Sequence, residues 1–301
     1  MRLASINLGG QVLGAVVEDG TAYPLPRRLT VADLVERGLE WALYVGNEAR
    51  TGRGVPLDRV TFELPYKPPS IRDFVTFESH VEGVRRSIDH AVGVPEAWYD
   101  APTFYFTNPH ALYGPGQPIT RPPLSRALDF EMEVAAVLGR SGSDLTEHEA
   151  KDAIFGYTIF NDWSARDLQS REMQTGLGPA KGKDFASSIG PWIVTADELD
   201  DRHDAHGFLA LDCRVSVNGE QVGHDALSNM HWTFAQMIAY ASRDSVVQTG
   251  DLLASGTTGG GGCLAELWGR NGEQTPPPLE PGDEVSITVE GIGTLAGKVA
   301  S

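Results

Sequence analysis

Residues 128–138 read LDFEMEVAAVL, a mostly apolar run that predicts a β-strand carrying two glutamates, Glu131 and Glu133. Side chains alternate faces along a strand, so Asp129, Glu131 and Glu133 are expected on one face. Like charges side by side repel, and a half-buried strand keeps them when a cation lies between them. Oxygen ligands suit a hard divalent ion such as Mg²⁺, Mn²⁺ or Ca²⁺. The alternative, which this stretch taken alone favours, is a solvated edge strand whose charges guard against aggregation.

The segment NDWSARDLQ, residues 161–169, continues from a predicted strand into a predicted helix. Asp162 is a candidate third carboxylate ligand, and the alternative is that it caps the helix. Arg166 and Gln169 lie three residues apart and therefore share one face of the helix. Because an arginine can grip a carboxylate with two hydrogen bonds, Arg166 is a candidate substrate ligand. The alternative for Arg166 is a surface ion pair with a neighbouring aspartate.

Composition and charge narrow the class of protein. The chain has 301 residues and a formal net charge of -17, which argues against nucleic acid or an anionic membrane as partners. The two cysteines, Cys213 and Cys263, lie outside any CxxC or Cys/His motif, so a structural zinc site or a disulfide framework is not expected. Both are predicted core residues in a reduced, cytoplasmic protein. The N-terminal residues lack the pattern of a signal peptide, and no stretch has the length of a membrane helix.

The order of the predicted elements indicates a mixed α/β, β-rich fold, because strands dominate and no regular βαβ rhythm appears. Residues 1–65 are predicted to form a small β-rich N-terminal domain, and residues 66–301 a larger one. The proline-rich joint LPYKPP at 64–69 marks the boundary. A hairpin is predicted around Asn218-Gly219. Helices are predicted at 30–42, 79–91, 147–155 and 232–242.

Two glycine-bounded loops are candidate ligand sites. In GPAKGKDF, residues 178–185, Lys181 or Lys183 could reach a substrate oxyanion. The run SGTTGGGG, residues 255–262, lacks the features of a P-loop and of a dinucleotide fingerprint, so both nucleotide interpretations are rejected. His80 taken alone is more typical of a structural histidine.

Taken together, these pieces resemble the fumarylacetoacetate hydrolase family. The resemblance covers the chain from about residue 66 to its end, and NDWSARDxQ with an upstream ExE is its specific signal. The similar stretches are RDFVTFESH at 72–80, FYFTNPHALYGPGQPI at 104–119, DFEMEVAAVLG at 129–139, GYTIFNDWSARDLQ at 156–169, GKDFASSIGPW at 182–192 and SGTTGGGGCLAEL at 255–267.

The resemblance implies a β-sandwich roll with one divalent metal at its mouth. The implied carboxylate ligands are Asp73, Glu131, Glu133 and Asp162. His80 falls on a general-base position and Glu266 on the position that orients this histidine. Lys183 offsets the carboxylate charge and is counted with these catalytic residues. The implied substrate contacts are Arg166, Gln169, Thr257 and, more loosely, Tyr105.

These assignments predict a metal-dependent hydrolase that cleaves a C–C bond in a 2,4-dioxo acid, with Mg²⁺ as the expected metal and Mn²⁺ or Ca²⁺ as alternatives. The expected partner is a small anionic oxo acid, and the resemblance implies a homodimer. A tautomerase, decarboxylase or dehydratase on the same metal site is the alternative activity. A non-enzymatic scaffold with a decayed site would have lost a ligand or the base, and none is missing from the sequence.

Overall fold

The computed structural model describes residues 1–89 and 91–301. The strands in this part of the chain are β1 (Arg2–Leu8), β2 (Gln11–Glu18), β3 (Thr21–Pro24), β4 (Val55–Pro56), β5 (Thr61–Glu63), β6 (Ile71–Phe74), β7 (Phe104–Thr107), β8 (Leu112–Tyr113), β9 (Pro118–Ile119), β10 (Leu128–Asp129), β11 (Met132–Leu138), β12 (Ile154–Asp162), β13 (Ser164–Ala165), β14 (Ser187–Thr195), β15 (Asp212–Val217), β16 (Glu220–Ala226), β17 (Leu252–Ala254), β18 (Glu284–Val289) and β19 (Gly293–Val299). The helices are α1 (Val31–Arg37), α2 (Leu39–Arg50), α3 (Glu78–Val84), α4 (Glu147–Asp152), α5 (Arg166–Met173), α6 (Phe234–Ser242) and α7 (Leu264–Asn271).

The strands form three sheets, which confirms the mixed α/β, β-rich prediction. The largest has 12 strands in the order β4-β3-β2-β1-β14-β12-β11-β17-β6-β7, with β5 beside β1 and β8 beside β14. A second sheet has the order β16-β15-β18-β19-β9, and β10 pairs with β13 alone. None of the helices in the described part of the chain has the length and apolar character that a bilayer crossing requires.

Strand β11 lies in the middle of the large sheet and is buried on both faces. Val134 belongs to the core between the two larger sheets, together with Ile287 of β18. Val137 faces the opposite core, together with Leu34 of α1. The solvated edge strand considered for 128–138 is therefore wrong. The single strand predicted for residues 128–138 is also interrupted, because Phe130 and Glu131 lie between β10 and β11.

Several local predictions are confirmed, with shifted boundaries. The Thr30 side chain caps α1, which ends at Gly38 because the backbone there has φ 86°, and α2 follows. Thr146 and Glu149 form the predicted capping box of α4. The helix predicted at 79–91 is α3 followed by a π-helical turn, Arg85–Asp89, and its prediction at residue 90 lies outside the described residues.

The N-terminal residues continue the large sheet. Strand β1 pairs antiparallel with β14, so Arg2 lies opposite Val194 and Leu3 opposite Ile193. The hairpin β15–β16 turns at Asn218, as predicted. The division of the chain at residue 65 stays a prediction.

Candidate metal centre and its cavity

Three carboxylates from one region of the large sheet meet in one place. Asp73 lies on β6, Glu133 on β11, and Glu131 just before β11. Each offers a carboxylate oxygen, and these oxygens lie within 4.8 Å of one another. The three side chains are buried. Three of the four predicted ligands are thus brought together across β6, β17 and β11, with β17 between the two strands that carry Asp73 and Glu133.

The carboxylates fit a cation because their charges and lone pairs are not satisfied by the protein. Among the described residues, Asp73 Oδ1 and Glu133 Oε2 are buried and have no hydrogen-bond partner. Burial, followed by the neighbouring carboxylates, raises the pKa of both groups well above the usual range. A divalent cation would supply the missing positive charge, and an all-oxygen set suits Mg²⁺, Mn²⁺ or Ca²⁺.

Asp162, the fourth predicted ligand, ends β12 and is fully buried beside this cluster. One of its oxygens, Oδ2, accepts a hydrogen bond from the Tyr105 hydroxyl and lies 2.8 Å from Lys183 Nζ. The other, Oδ1, accepts from Ser187 Oγ at 3.3 Å. Asp162 does not cap α5, because the residue at that cap is Ala165. Its role as a metal ligand stays a prediction.

Two buried cations hold Glu131. Lys183 Nζ lies 2.5 Å from Glu131 Oε2, and Arg166 Nη2 lies 2.7 Å from Glu131 Oε1. Burial opposes the charge of Glu131, but Lys183 and Arg166 outweigh burial and lower the pKa of this carboxyl far below its usual range. Glu131 is therefore an ionised carboxylate held in a fixed orientation. Of the two lysines considered in the loop, Lys183 is the one at the site, while Lys181 is exposed and pairs with Asp184.

Arg166 is held by a residue to which the sequence assigned no role, Asp129. Arg166 Nε donates to Asp129 Oδ2 at 2.8 Å, and Nη1 donates to Gln169 Oε1 at 3.0 Å. Asp129 also accepts from the backbone N–H groups of Leu264 and Ala265, at 2.8 and 3.0 Å, at the start of α7. The surface ion pair considered for Arg166 is wrong, because this side chain is 2% exposed. The signal for Asp129 was its place on the shared face with Glu131.

His80 lies on α3, buried at the same site. Burial lowers the pKa of His80 to about 4, so its ring is neutral near pH 7. Its Nδ1 lies 3.6 Å from Cys263 Sγ. Cys263 is buried as predicted, yet it lies at this site, which sequence reasoning missed.

The predicted pairing of Glu266 with His80 differs from the observed contacts. Glu266 lies on α7, where its Oε2 accepts from Gly261 N at 3.2 Å and its Oε1 pairs with Arg270, four residues later on the same helix. These two partners occupy the Glu266 carboxylate. Cys263 takes the place beside His80 that was predicted for Glu266.

A cavity of about 360 Å³ opens over the carboxylates. Thr257 closes one side and donates from Oγ1 to Glu133 Oε1 at 3.3 Å. Away from the carboxylates the cavity wall becomes largely apolar. Its lining comprises Asp73, Phe74, Val75, His80, Val81, Val84, Arg85, Thr103, Phe104, Tyr105, Glu131, Glu133, Arg166, Gln169, Met173, Pro179, Lys183 and Thr257. Every predicted site residue except Asp162 and Glu266 lines this cavity.

Comparison with known proteins places this arrangement in a family. Residues 70–300 match the fumarylacetoacetate (FAA) hydrolase C-terminal family. The chain is 30% identical to oxaloacetate tautomerase Fahd2a, mitochondrial, of Rattus norvegicus, over 98% of this chain and 87% of that protein. Other curated relatives are matched over smaller shares of their length, down to 52% for a fumarylacetoacetase of Arabidopsis thaliana.

Solved structures share the whole fold. A fumarylacetoacetate hydrolase from psychrophilic Exiguobacterium antarcticum has a TM-score of 0.80 and 26% identity, covering 100% of this chain and 99% of that one. Maleylpyruvate hydrolase from Sphingobium sp. SYK-6, in complex with manganese (II) ion and pyruvate, has a TM-score of 0.73 and 23% identity, covering 100% of this chain and 99% of that one. The second similarity extends to the fold alone.

Proposed function

Because the chain belongs to the fumarylacetoacetate hydrolase family, we propose that it is a divalent-metal-dependent enzyme that hydrolyses a C–C bond in a short 2,4-dioxo acid. The observation that carries the proposal is the cavity itself. Unsatisfied carboxylates and a neutral histidine lie at one end, and an apolar wall lies at the other. The first end suits the oxygens of a 2-oxo acid, and the second suits an acyl group.

Asp73, Glu131 and Glu133 would hold the metal, with Asp162 as the further proposed ligand. When bound, a divalent cation polarises carbonyl oxygens and stabilises enolate charge. Either Mg²⁺ or Mn²⁺ fits this donor set, and Mg²⁺ is the proposed native ion. Lys183 keeps Glu131 ionised and orients both Glu131 and Asp162, since its ammonium lies within 2.8 Å of both carboxylates.

His80 is the proposed general base. Its neutral ring has a free lone pair near pH 7, and one of its nitrogens lies within 4.8 Å of a Glu131 oxygen. It would take a proton from a water that adds to the acyl carbonyl. The C–C bond then breaks, leaving a carboxylic acid and the enolate of a 2-oxo acid, which takes up a proton. Burial keeps other water from the reacting carbons.

The apolar end of the cavity favours substrates larger than the smallest oxo acids. Val81 and Val84 project from α3, and Met173 and Pro179 line the same cavity. A volume of about 360 Å³ exceeds what a four-carbon acid fills. Substrates with an acyl group beyond the dioxo unit should therefore be turned over faster than truncated ones.

A second activity, tautomerisation of a 2-oxo acid, is favoured by one observation. The side chain beside His80 is Cys263, at 3.6 Å, where the predicted hydrolase arrangement has a carboxylate that orients this histidine. Moving one proton between carbon and oxygen requires a base but no activated water. The rat relative that matches 98% of this chain is named an oxaloacetate tautomerase.

Product analysis separates the two activities. Metal-loaded protein is assayed on acylpyruvates, fumarylpyruvate, fumarylacetoacetate and oxaloacetate. Release of pyruvate or acetoacetate with a second acid supports hydrolysis. Keto–enol exchange of oxaloacetate without cleavage of any substrate supports the tautomerase instead, and CO₂ release would support a decarboxylase.

The assembly and location are also proposed. We expect a cytoplasmic homodimer, and light scattering of purified protein measures its mass directly. A monomer mass near 32.5 kDa at micromolar concentration would contradict the dimer.

A further inference from the structure

A second set of possible metal ligands adjoins the carboxylate cluster. His80, Cys263 and Glu131 each offer one ligand atom, and these atoms lie within 4.8 Å of one another. All three side chains are buried. The set contains one nitrogen, one sulfur and one oxygen, whereas the neighbouring cluster of Asp73, Glu131 and Glu133 contains oxygen alone.

The spacing of the two softer donors matches a tetrahedral ion. Zinc binds cysteine sulfur at about 2.3 Å and histidine nitrogen at about 2.1 Å, so a tetrahedral angle places these two atoms about 3.6 Å apart. His80 Nδ1 and Cys263 Sγ lie 3.6 Å apart. The distance between these two donors therefore matches the distance that a tetrahedral zinc ion requires.

The position of Cys263 also suits a thiolate. It is the N-cap of α7, an eight-residue helix, and its sulfur accepts a hydrogen bond from Glu266 N at 3.4 Å. The partial positive charge of a helix N-terminus stabilises an anion there. Burial disfavours the free thiolate, so the thiol loses its proton as the metal arrives.

Glu131 can serve as the third ligand. Its oxygens contact Lys183 and Arg166, but each carboxylate oxygen has a second lone pair. The two positive charges of the ion would face one thiolate and one carboxylate, with His80 neutral. Lys183 and Arg166 add two positive charges beside Glu131, and Asp162 and Asp129 pair with them. The three protein ligands leave a fourth position open.

We propose that His80, Cys263 and Glu131 form a site for a thiophilic divalent cation of the Zn²⁺ or Cd²⁺ class. The site shares Glu131 with the oxygen cluster and occupies the nitrogen of His80. Zinc binding therefore removes the base and competes for a ligand of the activating ion. The proposal that the site binds such a cation does not depend on which reaction the protein catalyses. The proposal that the cation inhibits the protein rests on the proposed function.

Cadmium titration of metal-free protein tests the site. A cadmium–thiolate bond absorbs in the near ultraviolet, so wild-type protein should show this absorption at one equivalent of Cd²⁺. The absorption should persist in Cys213→Ser, which changes the other buried cysteine, and should disappear in Cys263→Ser. His80→Ala should weaken cadmium binding at least about tenfold. Absorption that survives in Cys263→Ser, or never appears in the wild type, overturns the proposal.

X-ray absorption at the zinc edge of wild-type protein decides the case where Cys263→Ser does not fold. One sulfur neighbour at about 2.3 Å supports the site, and a shell of oxygen and nitrogen alone overturns it. Inhibition by Zn²⁺ is then measured at several concentrations of Mg²⁺ or Mn²⁺, with whichever substrate the protein turns over. A sulfur signal in a protein inactive on every substrate would contradict the proposed function and leave the metal site standing. Turnover without a sulfur signal would overturn the zinc site and leave the proposed function standing.

Discussion

Glu133 has a buried oxygen, Oε2, that no hydrogen-bond donor of the described residues reaches. Replacing it with glutamine removes one of the crowded negative charges and keeps the shape. We expect Glu133→Gln to raise the free energy of unfolding of metal-free protein by about 1 kcal/mol and to weaken Mn²⁺ binding at least about tenfold. Chemical denaturation and calorimetric titration measure the two effects. Glu220→Gln, on an exposed hairpin, is the control and should change neither. Unchanged Mn²⁺ affinity would remove Glu133 from the ligand set.

His80 can be tested separately from the carboxylates. His80→Ala should keep Mg²⁺ or Mn²⁺ binding, because no oxygen ligand is lost, and should lower kcat at least about 100-fold. Glu131→Ala, in contrast, should lose both metal binding and turnover. Steady-state kinetics at saturating metal gives the comparison, with the exposed His148→Ala as the matched histidine control. Turnover within threefold of wild type in His80→Ala would exclude this histidine as the base.

Residue-level patterns explain which parts of the site the sequence could predict. Glu131 and Glu133 share a strand, so their common face follows from the period of two. Asp129 shares that period, but its role depends on a contact with Arg166 from another element, and Cys263 carries no local signal because its role depends on a contact with His80. The observed contacts of Glu266 differ from its predicted pairing with His80, because Arg270 and Gly261, both close in sequence, occupy its carboxylate.

Helices α3 and α7 cross at two glycines, and this contact positions His80. A Cβ on Gly269 would lie 2.0 Å from the carbonyl oxygen of Gly83, and one on Gly83 would lie 2.5 Å from Glu266 Cγ. Gly269→Ala must therefore push α3 away from α7. We expect a loss of about 1–3 kcal/mol in stability and a fall in kcat larger than the change in metal affinity. Gly52→Ala is the milder control, because a Cβ on Gly52 would lie 3.1 Å from its nearest neighbour, Ala49 O. Wild-type kcat in Gly269→Ala would show that this crossing does not set the position of His80.

The sequence predicted which helices and strands exist better than it predicted the residues at which they begin and end. The capping residues Thr30 and Thr146 located helix starts, because a cap is a local hydrogen bond. The position of β11 in the middle of the sheet was not predictable, because burial on both faces depends on strands far away in the sequence. The proline-rich joint at 64–69 predicts a boundary after the N-terminal strands, whereas the pairing of β1 with β14 is a long-range contact that no local pattern reveals.

For the whole molecule, the site is a source of instability that metal should reverse. Buried carboxylates without a cation repel one another, so chelation should lower the thermal midpoint. At free Mn²⁺ about 100 times its Kd, binding should add about 2.7 kcal/mol to the free energy of unfolding. Differential scanning calorimetry with EDTA and with Mn²⁺ measures the shift, and Glu133→Gln should show a smaller one. Equal midpoints with and without metal would contradict binding to the folded state.

The pairing of β1 with β14 has a consequence for any attempt to isolate residues 66–301. Removing residues 1–65 would strip away β1 and β5 and leave the β14 side of the sheet as an open edge. It would also uncover the apolar face of Val137, Phe155 and Ile193, which α1 and α2 help to cover. Such a fragment should precipitate or form large aggregates on size-exclusion chromatography. We therefore predict that residues 66–301 depend on β1 and β5 for solubility, although neither strand carries a residue of the candidate site.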